Sequence, residues 1–230
     1  MTASHPAART SRPVVLVTGA NRGIGRAVAH ELAADHHLLL GGRDEQALAA
    51  LAAELPSAEP FVAELTDPAD LDRALTGLAL EEGLAGLVHS AGILVNGSVE
   101  ELTPADWERN FAVNVTAVSE LTRRLLPALR AARGTVVAVN SGSGYAAKGD
   151  RGAYSASKFA LRAWADALRP VTERYPALAL EVLVAPQADA DPGKALPDMT
   201  YHPLDQRQDL AAARRRRLPQ HGHDQPAAGV

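Results

Sequence analysis

The chain contains no cysteine. Disulfides, thiol nucleophiles, zinc–cysteine sites and iron–sulfur clusters are therefore excluded. Aromatic residues make up only 4% of the sequence, too few for a base-stacking platform. A strong charge of either sign is also missing. The 23 Lys and Arg stand against 27 Asp and Glu, a net charge of −4. This mild acidity argues against nucleic acid or an anionic membrane as a partner. No segment approaches the ~20 consecutive apolar residues of a membrane span. Met1 to Pro13 has no apolar stretch of the secretory type. Residues 1–12 read as a frayed leader, and a cytoplasmic location is expected. What is present is 230 residues, 47% of them apolar, which suits one domain with a full hydrophobic core.

Short apolar runs alternate with helical patterns. Val14-Val15-Leu16-Val17 reads as a strand buried on both faces. Further strands are expected at Leu38–Leu40, Phe61–Leu65, Leu84–His89, Val136–Asn140 and Leu178–Ala185. Between them lie helices opened by good capping residues: Asp44, Asp67 before Pro68, and Thr103 before Pro104. One long helix runs from Thr103 to about Ala131 and another from about Ala153 to Tyr175. Such alternation implies βαβ units, a parallel sheet and a doubly wound α/β fold of one domain.

The first strand ends in Thr18-Gly19-Ala20-Asn21-Arg22-Gly23-Ile24-Gly25, and a helix follows. Glycines at such a turn allow close backbone approach, and the helix N-terminus offers free N–H groups to a pyrophosphate. The second strand is followed by Gly41-Gly42-Arg43. An acid near that point would bind the 2′-hydroxyl of NAD, whereas Arg pairs with the 2′-phosphate of NADP. Arg22 and Arg43 therefore point to NADP.

Tyr154 and Lys158 are four apart and share a helix face. An ammonium beside a phenol favours the phenolate and makes Tyr154 a candidate general acid/base. Ser141 follows the fifth strand, at the edge where open α/β sheets bind ligands. Its hydroxyl can hold a substrate oxygen there. Asn114 is polar within an apolar helical stretch, which suits both a satisfied core amide and a site residue. No metal ligand set is apparent.

In order and spacing these residues resemble the short-chain dehydrogenase/reductase family over about Pro13 to Pro186. Thr18, Gly19, Gly23, Ile24 and Gly25 look like its cofactor motif, and Asn21 and Arg22 fall inside it. Ser141, thirteen residues before Tyr154, and Lys158 match its catalytic triad, and Asn114 matches the residue that completes its tetrad. Ser90-Ala91-Gly92 resembles half of another cofactor-side turn, with His89 and Ser90 where the family usually has two Asn. Glu64-Leu65 stands where the family has an adenine-contacting Asp. The resemblance implies a Rossmann-type sheet of order 3-2-1-4-5-6, closed in the family by a seventh strand. It implies hydride transfer between nicotinamide and a carbonyl or alcohol carbon. Tyr154 would donate the proton, Ser141 would polarise the carbonyl, Lys158 would assist the phenol and hold the ribose, and Asn114 would keep a relay water. A homodimer or homotetramer through the long helices is implied as well.

The segment from Gln187 to Val230 departs from that pattern. It carries five Pro and the run Arg214–Arg217, and a closing strand is not visible. A core over 13–186 and an atypical tail over 187–230 are expected, with a helix possible over 205–217. The altered tail leaves open a second reading, an NADP-binding module with little turnover.

Overall fold

A computed structural model describes residues 12–78, 80, 82–174 and 179–182. The remainder of the leader, the 187–230 tail, the helix expected over 205–217 and any seventh strand lie outside the described residues. In chain order the elements are β1 (Val14–Thr18), α1 (Gly23–Leu32), β2 (His37–Gly42), α2 (Glu45–Glu54), β3 (Ala58–Val62) and α3 (Pro68–Thr76). There follow β4 (Gly86–His89), α4 (Pro104–Phe111), a π turn (Ala112–Thr116), α5 (Ala117–Ala132) and β5 (Thr135–Val139). A single 3₁₀ turn (Gly142–Gly144), α6 (Gly152–Arg174) and β6 (Ala179–Val182) complete the described chain. The strands form one parallel sheet in the order β3-β2-β1-β4-β5-β6. This is the Rossmann-type order expected from the sequence.

Capping chemistry explains the helix starts. Asp44 and Asp67 each accept backbone N–H bonds from the first turn, and Pro68 follows the second. Thr103 and Asp106 form a reciprocal capping box at α4. Two expectations shift. The third strand lies three residues earlier than Phe61–Leu65. It is an edge strand whose Glu59 and Pro60 are exposed, so its apolar content does not mark it, and an edge tolerates proline. The long helix from Thr103 is interrupted by the π turn at Asn114, a feature that apolar periodicity does not reveal.

Alternate residues of the central strands feed opposite faces of the sheet. Leu16 and Leu39 join Leu71 of α3 and Leu121, Leu125 and Leu129 of α5. Val15, Val17, Leu38 and Leu40 join Ala29 of α1 and Leu48 and Leu51 of α2. The buried face of α1 is centred on Gly25 and Ala29, with Val28 and Leu32 at its flank. Each fully buried leucine contributes about 2 kcal/mol relative to exposure. Trp164 and Leu168 of α6 pack against the first of these clusters. Among the described residues no helix is long and apolar enough to cross a membrane.

His89 closes β4 and is 2% exposed. Its Nε2 is hydrogen-bonded to Thr122 Oγ1 of α5 at 2.8 Å, and its ring meets Trp164 edge-on. Burial disfavours the imidazolium and lowers its pKa to about 3. The unfolded chain binds this proton near pH 6.5, so stability from neutral His89 is full above that pH and drains away as pH falls toward 3. Linkage gives a loss of about 2 kcal/mol by pH 5. The check is urea unfolding at pH 7 and pH 5. His89→Asn should show a shallower decline than the parent chain, and parallel declines would contradict the assignment.

Candidate active site

Because every strand pairing is parallel, β1, β4 and β5 deliver their carboxyl ends to one edge of the sheet. The loops that leave this edge carry the residues singled out in the sequence. Thr18, at the end of β1, ties two of those loops together. Its hydroxyl donates to the Val88 carbonyl at 3.3 Å and accepts from the N–H groups of Ser90 and Ala91, both at 3.1 Å. Thr18 is 1% exposed, so these bonds form away from water.

The glycine turn is shaped by close backbone approach. A Cβ on Gly25 would lie 2.3 Å from the Gly19 carbonyl oxygen, which only glycine avoids. Gly19 itself has φ +67° and abuts Ala91. Gly23 differs: at φ +55° its missing Cβ points into space with no atom within 4 Å. No side chain caps α1, and its first turn has no acidic residue. Exposed Arg22 sits at the N-cap. Open space, uncapped N–H groups and a cation fit a pyrophosphate anion. Asn21 and Ile24 are half-buried in the same turn.

The second cluster forms around α6. Lys158 is 7% exposed, and its Nζ donates to the Val139 carbonyl at 3.0 Å. The same ammonium lies 5.8 Å from the centre of the half-buried Tyr154 ring. Ser141 caps the 3₁₀ turn, its Oγ accepting the Ser143 N–H at 3.2 Å. That bond uses an acceptor site and leaves the hydroxyl proton available to a carbonyl oxygen. Gly92 borders the cluster: a Cβ there would fall 3.2 Å from Asn114 Oδ1 and 3.9 Å from Lys158 Nζ.

Asn114 is 1% exposed and lies in the π turn, a distortion often found at functional sites. Its Oδ1 accepts the Ile93 N–H and its Nδ2 donates to the Ile93 carbonyl, both at 2.9 Å. Nδ2 also donates to Ser157 Oγ at 3.0 Å, and that hydroxyl donates to the Tyr154 carbonyl at 2.7 Å. The side chain is thus a satisfied core amide, and it fastens the loop after β4 to α6 beside Tyr154.

At the opposite rim, Arg43 follows β2 and Glu64 follows β3. Arg43 Nη1 and Glu64 Oε2 form an ion pair at 3.1 Å. Glu64 Oε1 accepts from the Thr66 hydroxyl at 2.8 Å and its N–H at 3.2 Å. Partial burial opposes ionisation of Glu64, but the bonds from Thr66 and Arg43 outweigh it and hold the carboxyl below its ordinary range. Leu65 packs partly against the core.

Two positioning residues escaped the sequence reading as site members. They are Ser157 and Asn140, which is 2% exposed. Asn140 accepts the Ser141 N–H at 2.9 Å and donates to the Lys158 carbonyl at 3.3 Å. Their signal was adjacency to the motifs. A short polar residue at the end of a buried strand needs partners, and here those partners are the site's own backbone.

The family model for short chain dehydrogenase matches residues 13–176. The Uncharacterized oxidoreductase YbbO of Escherichia coli strain K12 is 37% identical over 162 residues, covering 67% of this chain and 58% of that protein. The chain thus spans under two thirds of that relative's length. Among solved structures, a short-chain dehydrogenase from Sphingobium yanoikuyae in complex with NADPH has a TM-score of 0.69 at 31% identity. That likeness covers 75% of this chain and 71% of the other. A metagenomic short-chain oxidoreductase in complex with NADP also has a TM-score of 0.69 at 31% identity, covering 76% and 82%.

The bonding of Asn114 has a measurable consequence. Asn114→Leu leaves the Ile93 N–H and carbonyl without their side-chain partner in the interior. Each buried unsatisfied group costs about 1–3 kcal/mol, so a loss of about 2–4 kcal/mol is expected after partial relaxation. A fall in the urea midpoint without a change in slope checks this.

Proposed function

The chain belongs to the short-chain dehydrogenase family, and from that premise we propose an NADP(H)-dependent oxidoreductase that interconverts a carbonyl and an alcohol. The observation that carries the reading is the convergence at one sheet edge of Ser141, Tyr154 and Lys158 beside Gly92 and the glycine turn. The bound nicotinamide would supply the hydride to the carbonyl carbon. Gly19, Gly23, Ile24 and Gly25, with Asn21 and Arg22, would hold the pyrophosphate. Ser90, Ala91 and Gly92 would border the nicotinamide side, and Leu65 the adenine. In reduction Ser141 donates a hydrogen bond to the carbonyl oxygen and fixes its position. Tyr154 then gives its phenolic proton to that oxygen. Lys158 places its positive charge where negative charge develops on the phenol, and it would also hold the nicotinamide ribose. Asn114 secures α6 and the loop after β4 against each other, and the relay water would be kept beside it.

The preference for NADP(H) rests on Arg22 and Arg43 at the adenosine rim. The NADPH- and NADP-bound states of two similar structures support it. Charge-assisted hydrogen bonds are worth about 1.5–3 kcal/mol. Arg43 is 76% exposed and already paired, so the lower end, about tenfold in affinity, is expected. A homodimer or homotetramer through the long helices belongs to the same proposal. Exposed Trp107, stacked on Phe111 of α4, and exposed Phe159 of α6 offer apolar surface for it.

Two outcomes test this reading. Fluorescence titration should give an NADPH dissociation constant about tenfold below that of NADH, and Arg43→Ala should weaken NADPH while sparing NADH. Equal affinities would remove the NADP assignment. In a carbonyl-panel assay that follows NADPH oxidation, Tyr154→Phe should keep cofactor binding and lose turnover, because the ring stays and only the proton donor goes. Retention of more than about a tenth of the parent rate would exclude Tyr154 as the donor. Lys158→Met should impair both binding and turnover. Binding without turnover in the parent chain would favour an NADP-binding module instead.

A further inference from the structure

Three arginines between the N-cap of α1 and β3 differ in their engagements. Arg26 is held by both carboxylate oxygens of Glu54, at 3.0 and 2.9 Å. Arg22 is exposed and forms no ion pair among the described residues. Arg43 is paired with Glu64. The Arg43–Glu64 pair is built by the sheet. β2 and β3 run parallel with Gly42 beside Val62, and the Ala63 N–H donates to the Gly42 carbonyl at 2.9 Å. Arg43 is the first residue past β2 and Glu64 the second past β3, so their side chains meet just beyond the end of the strand pair.

Glu64 is restrained from several directions. Its N–H donates to Asp70 Oδ2 at 2.6 Å, and its Oε1 is taken by Thr66. The remaining oxygen, Oε2, faces Arg43. Glu64 is thus a fixed anion, while Arg43 is a long and largely exposed cation able to turn to another partner. A 2′-phosphate brings a charge of about −1.5 to −2 to this rim. It must draw Arg43 from Glu64 or share it with a carboxylate of like sign. A cofactor with a plain 2′-hydroxyl meets neither cost.

We propose that Glu64 is a counter-charge that restrains Arg43 and thereby sets how strongly the chain favours a 2′-phosphorylated cofactor. The inference rests on the NADP(H) reading above and deepens it. Glu64 is a specificity-determining residue that acts through Arg43, whatever the same loop contributes to holding adenine. The low carboxyl pKa agrees with this role, since Glu64 stays ionised throughout the neutral range.

The test is direct binding of NADPH and NADH, followed by fluorescence and without substrate, to the full chain. Glu64→Gln keeps the side chain's size and its acceptor for Thr66 but removes the charge. It should tighten NADPH by about two- to fivefold, the range of an exposed ion pair, and leave NADH unchanged. Glu64→Ala should act in the same direction, and circular dichroism confirms that each variant is folded. In an Arg43→Ala background the gain from Glu64→Gln should fall by at least half, because its route is gone. A shift of both cofactors alike would make Glu64 a purely structural or adenine-side residue and overturn the proposal. So would an unchanged or weakened NADPH affinity in both variants, or a gain that persists in full without Arg43. If the parent chain discriminates between the cofactors and the Glu64 variants do not alter that, only this proposal fails. If the parent chain does not discriminate, the NADP(H) reading fails and takes this one with it.

Discussion

Asn114 sits in the π turn between α4 and α5, and its side-chain amide bonds at once to both backbone groups of Ile93 and to the hydroxyl of Ser157. The loop that follows β4 leaves the sheet, so its peptide groups have no strand neighbour and need other partners. Thr18 serves Ser90 and Ala91, and Asn114 serves Ile93. Through Ser157 the same amide reaches the Tyr154 carbonyl. The loop after β4 and the helix bearing Tyr154 and Lys158 are thus fixed to each other by one buried residue. Holding that loop and that helix in one arrangement requires such a link, because Ile93 and Tyr154 lie far apart in sequence.

The fold was legible because its signals are local and repeated. Val14–Val17 and Leu38–Leu40 alternate between two buried faces, and Asp44, Asp67 and Thr103 mark helix starts by side-chain chemistry alone. The third strand was misplaced because an edge strand needs little apolar surface. The π turn was missed because the switch of backbone hydrogen bonds to i→i+5 is not written in which residues are apolar. At the candidate site, residues could be nominated from spacing, but their partners could not. Asn114 suited two roles in the sequence, and only tertiary contacts reveal how its amide is used. Asn140 and Ser157 passed unnoticed for the same reason. Arg43 and Glu64 were each placed at the adenosine rim, yet their pairing depends on the β2–β3 register, which no single segment encodes.

His89 shows how a buried polar group can leave the working edge. It closes a strand that points at the site, but its ring turns toward Thr122 and Trp164. The backbone of the following turn is braced by the Thr18 hydroxyl instead. A neutral imidazole suits an apolar setting, whereas a charged one would require a partner that the interior does not offer. The consequence is a link between fold stability and acid pH that runs through the core and leaves Ser141, Tyr154 and Lys158 aside.

Burial separates the residues that hold this site from those that can tune it. Thr18, Asn114, Asn140 and Lys158 are each less than a tenth exposed and bond mainly to backbone groups. Replacing any of them strands a polar group in the interior, at about 1–3 kcal/mol each. Arg22, Arg43 and Glu64 lie on exposed or half-exposed loops, where an ion pair is worth about 0.2–1 kcal/mol. Changes at the rim therefore alter the affinity for a charged ligand by modest factors at little risk to the fold. Changes at the buried edge put the fold itself at stake. A parallel sheet produces this division by itself, since its strands stop inside the core while the loops that leave them reach the solvent.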